Sequence, residues 1–248
     1  MRTVGVDLAT EPPSTAVAVL EWDSSGARIV ATEFPADDDA VLRHAARAGK
    51  TGIDCPLGWP DTFVDFLRAQ RENVARLASE PPGAAWRRSL AYRHTDERVR
   101  ALTGLVPLSV ATDRIGLTAM RAVRLLSLLA ERGHTVDRAG SGTVVEVYPA
   151  AGLHHWHLPH RRYKGGKHLA ALASLVTALQ EAAPWLDLSE HEHLCRRHDH
   201  VLDAVIAALI ARAAALGLTL TPTETERSRA RTEGWIAIPA CTLDQLVS

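Results

Sequence analysis

Lysine is almost missing from this chain: of 28 basic residues only Lys50, Lys164 and Lys167 are lysine, and the rest are arginine. An excess of Arg and Ala can follow from genomic base composition, so it carries little functional weight. Cysteine is equally sparse. Cys55, Cys195 and Cys241 are odd in number and far apart, which excludes a disulfide framework and fits a reducing cytosol. No excess of either charge exists either. A formal net charge of −1 and a pI near 6.9 exclude a globally basic, histone-like binder but leave room for a local basic groove. No apolar run reaches the ~18 residues of a membrane span. The best candidate, 201–220, is interrupted by Asp203 and Arg212 and reads as a buried helix. The opening Met1-Arg2-Thr3-Val4 enters a strand with no signal-peptide core. A cytoplasmic protein with no membrane partner is the expectation. Internal repeats and low-complexity tracts are also lacking.

What is present is a clear alternation of elements. Val4–Asp7, Ala16–Trp22 and Ala27–Phe34 are β-rich runs separated by Pro12-Pro13-Ser14 and Asp23-Ser24-Ser25-Gly26, which is turn chemistry. They predict an antiparallel meander. Asp37–Ala48 follows as a short helix with an acidic start. Lys50–Pro56 is a strand apolar enough to be buried on both faces. The polar, Arg-rich stretch from Pro60 to Gly104, punctuated by Pro81-Pro82-Gly83, predicts a helical insertion spanning about 60–112 rather than a second domain. Helical spacing returns over Asp113–Gly133, Lys167–Leu179 and Asp199–Leu216, with a strand at Thr143–Tyr148 and a short extended segment at Glu233–Pro239. A meander followed by βα units implies an α/β domain over 1–248, a mixed sheet with helices on both faces.

Several acids occupy costly positions. Asp7 closes the first strand, Asp54 sits between Ile53 and Cys55, and Glu146 interrupts Val144-Val145-Glu146-Val147. Asp199 and Asp203 lie four apart at the head of the last long helix and share one face. Carboxylates in apolar strands need cationic compensation. Their number points to a divalent cation and to hydrolytic or phosphoryl-transfer chemistry, for which Mg²⁺ (or Mn²⁺) suits oxygen ligands. Each acid also has a plainer explanation. Asp7 can be a turn residue, Glu146 an edge-strand carboxylate facing solvent, and Asp199 a helix N-cap; Asp54 and Asp203 have the fewest such explanations. Asp7, Asp54 and Asp203 are the expected metal ligands, with Glu146 and Asp199 as further catalytic candidates.

Arg88, Arg93 and Arg98, in the insertion, are candidates for bidentate phosphate contact, set against a solvated, salt-bridged helix. Lys164 and Lys167 flank Gly165-Gly166 just before a helix start, a second phosphate-contact candidate. Two histidine tracts, 154–160 and 191–200, match no familiar zinc spacing.

The segments Val4-Gly5-Val6-Asp7, Ile53-Asp54-Cys55-Pro56-Leu57-Gly58-Trp59-Pro60, Glu146-Val147-Tyr148-Pro149-Ala150 and His198-Asp199-His200-Val201-Leu202-Asp203-Ala204 occur in this order. With Arg93-His94-Thr95-Asp96, Arg98 and Tyr163-Lys164, they resemble the family called domain of unknown function 429, whose members are predicted nucleases of RNase H-like fold. The resemblance spans nearly the whole chain. It implies a five-stranded RNase H-like mixed sheet, antiparallel then parallel. Asp7 would match the first-strand carboxylate, Asp54 or Glu146 the inner-strand acid, and Asp199 with Asp203 the acids of the C-terminal helix, which is also similar to that of Holliday-junction resolvases. At one position this chain departs: His200 stands where the family often has a second Asp. A histidine there can ligate metal or shuttle a proton.

Three functions follow as expectations. The first is a Mg²⁺-dependent nuclease or phosphodiesterase with a nucleic-acid partner. The second is a non-catalytic RNase H-like binding protein. The third is an actin-like or sugar-kinase-like ATP phosphotransferase, disfavoured because no Gly-rich adenosine loop lies between Gly166 and Gly217.

Overall fold

The computed structural model describes residues 1–72 and 83–247, so Pro81 and Pro82 of the expected turn in the insertion lie outside the described residues. A mixed sheet organises the chain. Strands β1 (Arg2–Asp7), β2 (Ala16–Trp22) and β3 (Ala27–Glu33) form the antiparallel meander, and β4 (Lys50–Asp54) and β5 (Val144–Val147) add in parallel beyond β1. The sheet has seven strands rather than five. Two-residue strands β6 (Leu186–Asp187) and β7 (Ile236–Ala237) extend it to the order β6-β3-β2-β1-β4-β5-β7. Elements this short have no periodicity to read; their pairing with Ala27–Arg28 and Glu146–Val147 defines them. Because β7 covers β5, Glu146 is not an edge residue; it is buried.

Helices lie on both faces. Alternate residues of each strand feed different cores, as the period of two requires. Val4, Val6, Val17, Val19 and Ile53 pack with α1 (Asp38–Ala45) and α5 (Ile115–Glu131). Ala16, Ala18, Leu20 and Trp22 pack with α6 (Pro149–His155), α7 (Leu169–Ala182) and α9 (Asp199–Ala215). The short α8 (Glu192–Cys195) leads into α9. Helix α9 is buried almost all round from Val201 to Ala211, the mark of a central helix.

Between β4 and α5 the insertion carries α2 (Asp61–Glu72), α3 (Ala84–Ala91) and α4 (His94–Thr103). It is tied to the sheet side by α10 (Arg227–Glu233): Glu233 accepts from the backbone N–H of Asp61 at 2.9 Å and of His94 at 2.8 Å, placing negative charge at two helix starts. Among the described residues no helix is long and apolar enough to cross a membrane.

Candidate metal centre

Two glycines set the geometry of the site. Gly5 and Gly52 are register partners on β1 and β4, and both face α9. A Cβ on Gly5 would lie 1.9 Å from the Ala204 carbonyl oxygen, and one on Gly52 would lie 2.5 Å from that of Ala207. Only glycine lets the helix rest on the strand backbone at these points. Two residues further along each strand, on the same face, come Asp7 and Asp54, themselves register partners. Helix α9 presents Asp203 beside them. One carboxylate oxygen from each of Asp7, Asp54 and Asp203 lies within 4.8 Å of the others.

The environment of the three is mostly polar contacts over a buried floor. Asp203 accepts from Tyr163 Oη at 2.7 Å and forms an ion pair with Lys164 Nζ at 2.5 Å. His200 Nδ1 is 2.6 Å from Asp7 Oδ2. Burial pushes the Asp54 carboxyl well above the usual carboxylate range; Lys164 pulls it back, while Asp7, Asp203 and Glu146 push it further up. Burial likewise raises Asp203, against Lys164, to about 6. Burial lowers the Lys164 ammonium, but Asp203, Asp54 and Asp7 outweigh it and hold it above its ordinary value. The hydrogen bond to Asp7 raises the His200 imidazole. Strong perturbation of several neighbouring groups in a cleft is the electrostatic mark of a functional site.

The remaining residues singled out in the sequence fall elsewhere. Glu146 is clasped by Arg93, at 2.7 and 2.8 Å, and accepts from the Leu57 N–H at 2.9 Å. It is not one of the three grouped carboxylates, although it lines the same cavity as Asp7 and Asp54. Arg93 spends its side-chain donors on Glu146, Asp96 and the Glu233 carbonyl, so none of its five N–H groups remains for a phosphate. The guanidinium expected to meet a phosphate is held in a buried clasp beside the cavity. Arg88 pairs with Glu97 and lies over the Tyr92 ring; Arg98 reaches Glu226 at 3.3 Å and lies over Trp235. Neither borders the cavity above the carboxylates. Asp199 is the first residue of α9 and accepts from the Gly165 N–H at 3.0 Å, steadying the loop that carries Lys164. Lys167 is exposed on a single 3-10 turn, Gly166–His168. Lys164 alone of the five expected phosphate contacts pairs with a member of the Asp7, Asp54 and Asp203 group. Among the described residues the histidine tracts form no metal-holding group.

Asp7 and Asp54 open into a cavity of about 590 Å³. The loop 160–164, with Arg161, Arg162 and Tyr163, forms part of its lining, and so does 105–108. Of these, Arg161, Arg162 and residues 105–108 escaped the sequence reading. The run Arg161-Arg162 beside Lys164 was the available signal.

The family described as protein of unknown function (DUF429) matches residues 5–227, a span that contains every member of the cluster. The chain belongs to the DUF429 family. No curated protein and no solved structure matches it.

The donor set fits a hard divalent cation. Oxygen ligands at ~2.1 Å from Mg²⁺ stand ~3.0 Å apart at adjacent positions and ~4.2 Å apart across the ion, so three carboxylate oxygens within 4.8 Å of one another would draw together to share one cation. Asp7, Asp54 and Asp203 would hold the ion, with Lys164 withdrawn from Asp203.

Proposed function

We propose that this DUF429 protein is a divalent-metal-dependent nuclease that hydrolyses phosphodiester bonds at the Asp7, Asp54 and Asp203 cluster. One observation carries this reading: three carboxylates from β1, β4 and α9 converge within 4.8 Å of one another, and two of them, Asp7 and Asp54, line a cavity. An RNase H-like relationship is supported by a meander running into parallel strands, with one acid on the first strand and another on a late helix packed against it. Mg²⁺ or Mn²⁺ bound there supplies a water of lowered pKa and charge compensation at the phosphate. The chain's own residues orient the ligands. Tyr163 fixes the rotamer of Asp203, His200 that of Asp7, and the Lys164 ammonium, on an exposed stem, is free to swing to a phosphate oxygen.

Incubation with single-stranded and structured DNA and RNA in Mn²⁺ tests the reading. Cleavage by the wild type that disappears in Asp7→Asn is expected; no Asp7-dependent cleavage of any of them contradicts it. A second reading, a binding protein that lacks the chemistry, has one observation in its favour. Lys164 is already paired with Asp203, and His200 is already bonded to Asp7.

A further inference from the structure

The walls of the cavity say more about the substrate than its floor does. At about 590 Å³ the space matches ligands the size of one nucleotide, not a stacked duplex. Two lining segments differ sharply in chemistry. Val106 and Leu108 are 51% and 60% exposed, large apolar side chains left in contact with water. With Leu105, Pro107 and the ring of Tyr148 they give the cavity an apolar wall. The other segment brings Arg161 and Arg162, both exposed. Neither makes a hydrogen bond or ion pair among the described residues. That sets them apart from Arg93, Arg98 and Arg121, whose guanidinium groups are committed to carboxylates. Arg162 also holds a left-handed backbone conformation, φ 60°, in the turn that leads to Lys164. A cavity with carboxylates at the floor, an apolar wall and uncommitted guanidinium groups offers each part of one nucleotide a partner. The linkage meets the acids, the base meets the apolar wall, and flanking phosphates meet the arginines.

We infer that the substrate is a single-stranded nucleic acid, or a strand end, whose reacting nucleotide enters unstacked, with its base against Val106, Leu108 and Tyr148. The inference rests on the nuclease reading of the same carboxylates. Paired bases would have to leave the stack to lie against that apolar wall, as they do for enzymes that act on extruded nucleotides.

The test separates strand preference from catalysis. Binding of a fluorescent oligothymidylate, an oligouridylate and a blunt duplex of equal length is followed by anisotropy in Ca²⁺, and cleavage of the same three in Mn²⁺. Single strands are expected to bind at least about tenfold more tightly than the duplex, and Leu108→Asp to weaken single-strand binding by about tenfold. Arg161→Ser with Arg162→Ser should flatten the salt dependence of that binding. Leu108 is exposed, and circular dichroism of the variant verifies that it folds. A duplex bound or cleaved as well as the single strands overturns the inference while leaving the nuclease reading intact. Preferential single-strand binding with no cleavage of any probe overturns the nuclease reading and sustains the strand preference. Absence of both binding and cleavage overturns the two together.

Discussion

Asp54 carries its carboxyl into surroundings that favour the protonated acid, because burial and the neighbouring Asp7 and Asp203 act together against Lys164. Replacing it with Asn keeps the shape and removes the charge. Asp54→Asn is therefore expected to leave the metal-free protein at least as stable at pH 8, while abolishing Mn²⁺ binding by calorimetry. Equal Mn²⁺ affinity in both proteins would sink the assignment. Asp203 adds a pH dependence with a definite sign. Its folded-state value is raised from the ordinary carboxylate value to about 6. The stability it contributes to the metal-free protein is thus fully present below the unfolded value and is lost as pH rises through about 6. Cation binding needs the ionised form, so the rise in melting temperature produced by Mg²⁺ should be small at pH 5 and large at pH 8. A shift that shrinks with rising pH contradicts this. At the residue scale the sequence was informative about Asp7, Asp54 and Asp203 but not about Glu146. An acid inside an apolar strand looks the same at 54 and at 146. What separates them is Arg93, a partner 53 residues away from Glu146 in the chain.

Among the elements, α9 decides whether there is a site at all. It reaches the acids because Gly5 and Gly52 have no side chain to hold it off. Gly5→Ala places a methyl group against the Ala204 carbonyl, which no rotamer change relieves. Such overpacking should cost about 1–3 kcal/mol or more and loosen Mn²⁺ binding by displacing Asp203. Gly166→Ala, whose added Cβ meets nothing within 4 Å, serves as a control and should stay within about 0.5 kcal/mol of wild type. Urea denaturation distinguishes the two. A second element-scale device is the Arg93 clasp, which joins α4 to β5 through Asp96 and Glu146, all three buried. Removing the cation strands two buried carboxylates, so Arg93→Ala should destabilise by about 3–5 kcal/mol. Wild-type stability in that variant would return Arg93 to the surface role expected from its sequence setting. The longer strands and helices were legible because their periodicity extends over several residues. The edge strand β6 and helices α6, α8 and α10 were not, because at two to seven residues they depend on tertiary partners, whereas β7 falls inside the extended segment expected at Glu233–Pro239.

Over the whole molecule, the cavity is built by chain segments far apart in sequence. Asp7 and Asp54 end adjacent parallel strands, where open α/β sheets commonly place ligands. The insertion and the loop before α7 supply lining residues. The acids were visible in the sequence because each violates a local apolar pattern. The cavity wall was not, since Val106, Leu108, Arg161 and Arg162 violate nothing where they stand. Mn²⁺ soaked into crystals of the protein and located by its anomalous scattering tests the central claim most directly. The account predicts a peak bounded by Asp7, Asp54 and Asp203, with the Lys164 ammonium displaced from Asp203. Crystals with no peak there, and Lys164 still paired with Asp203 at saturating Mn²⁺, would contradict it.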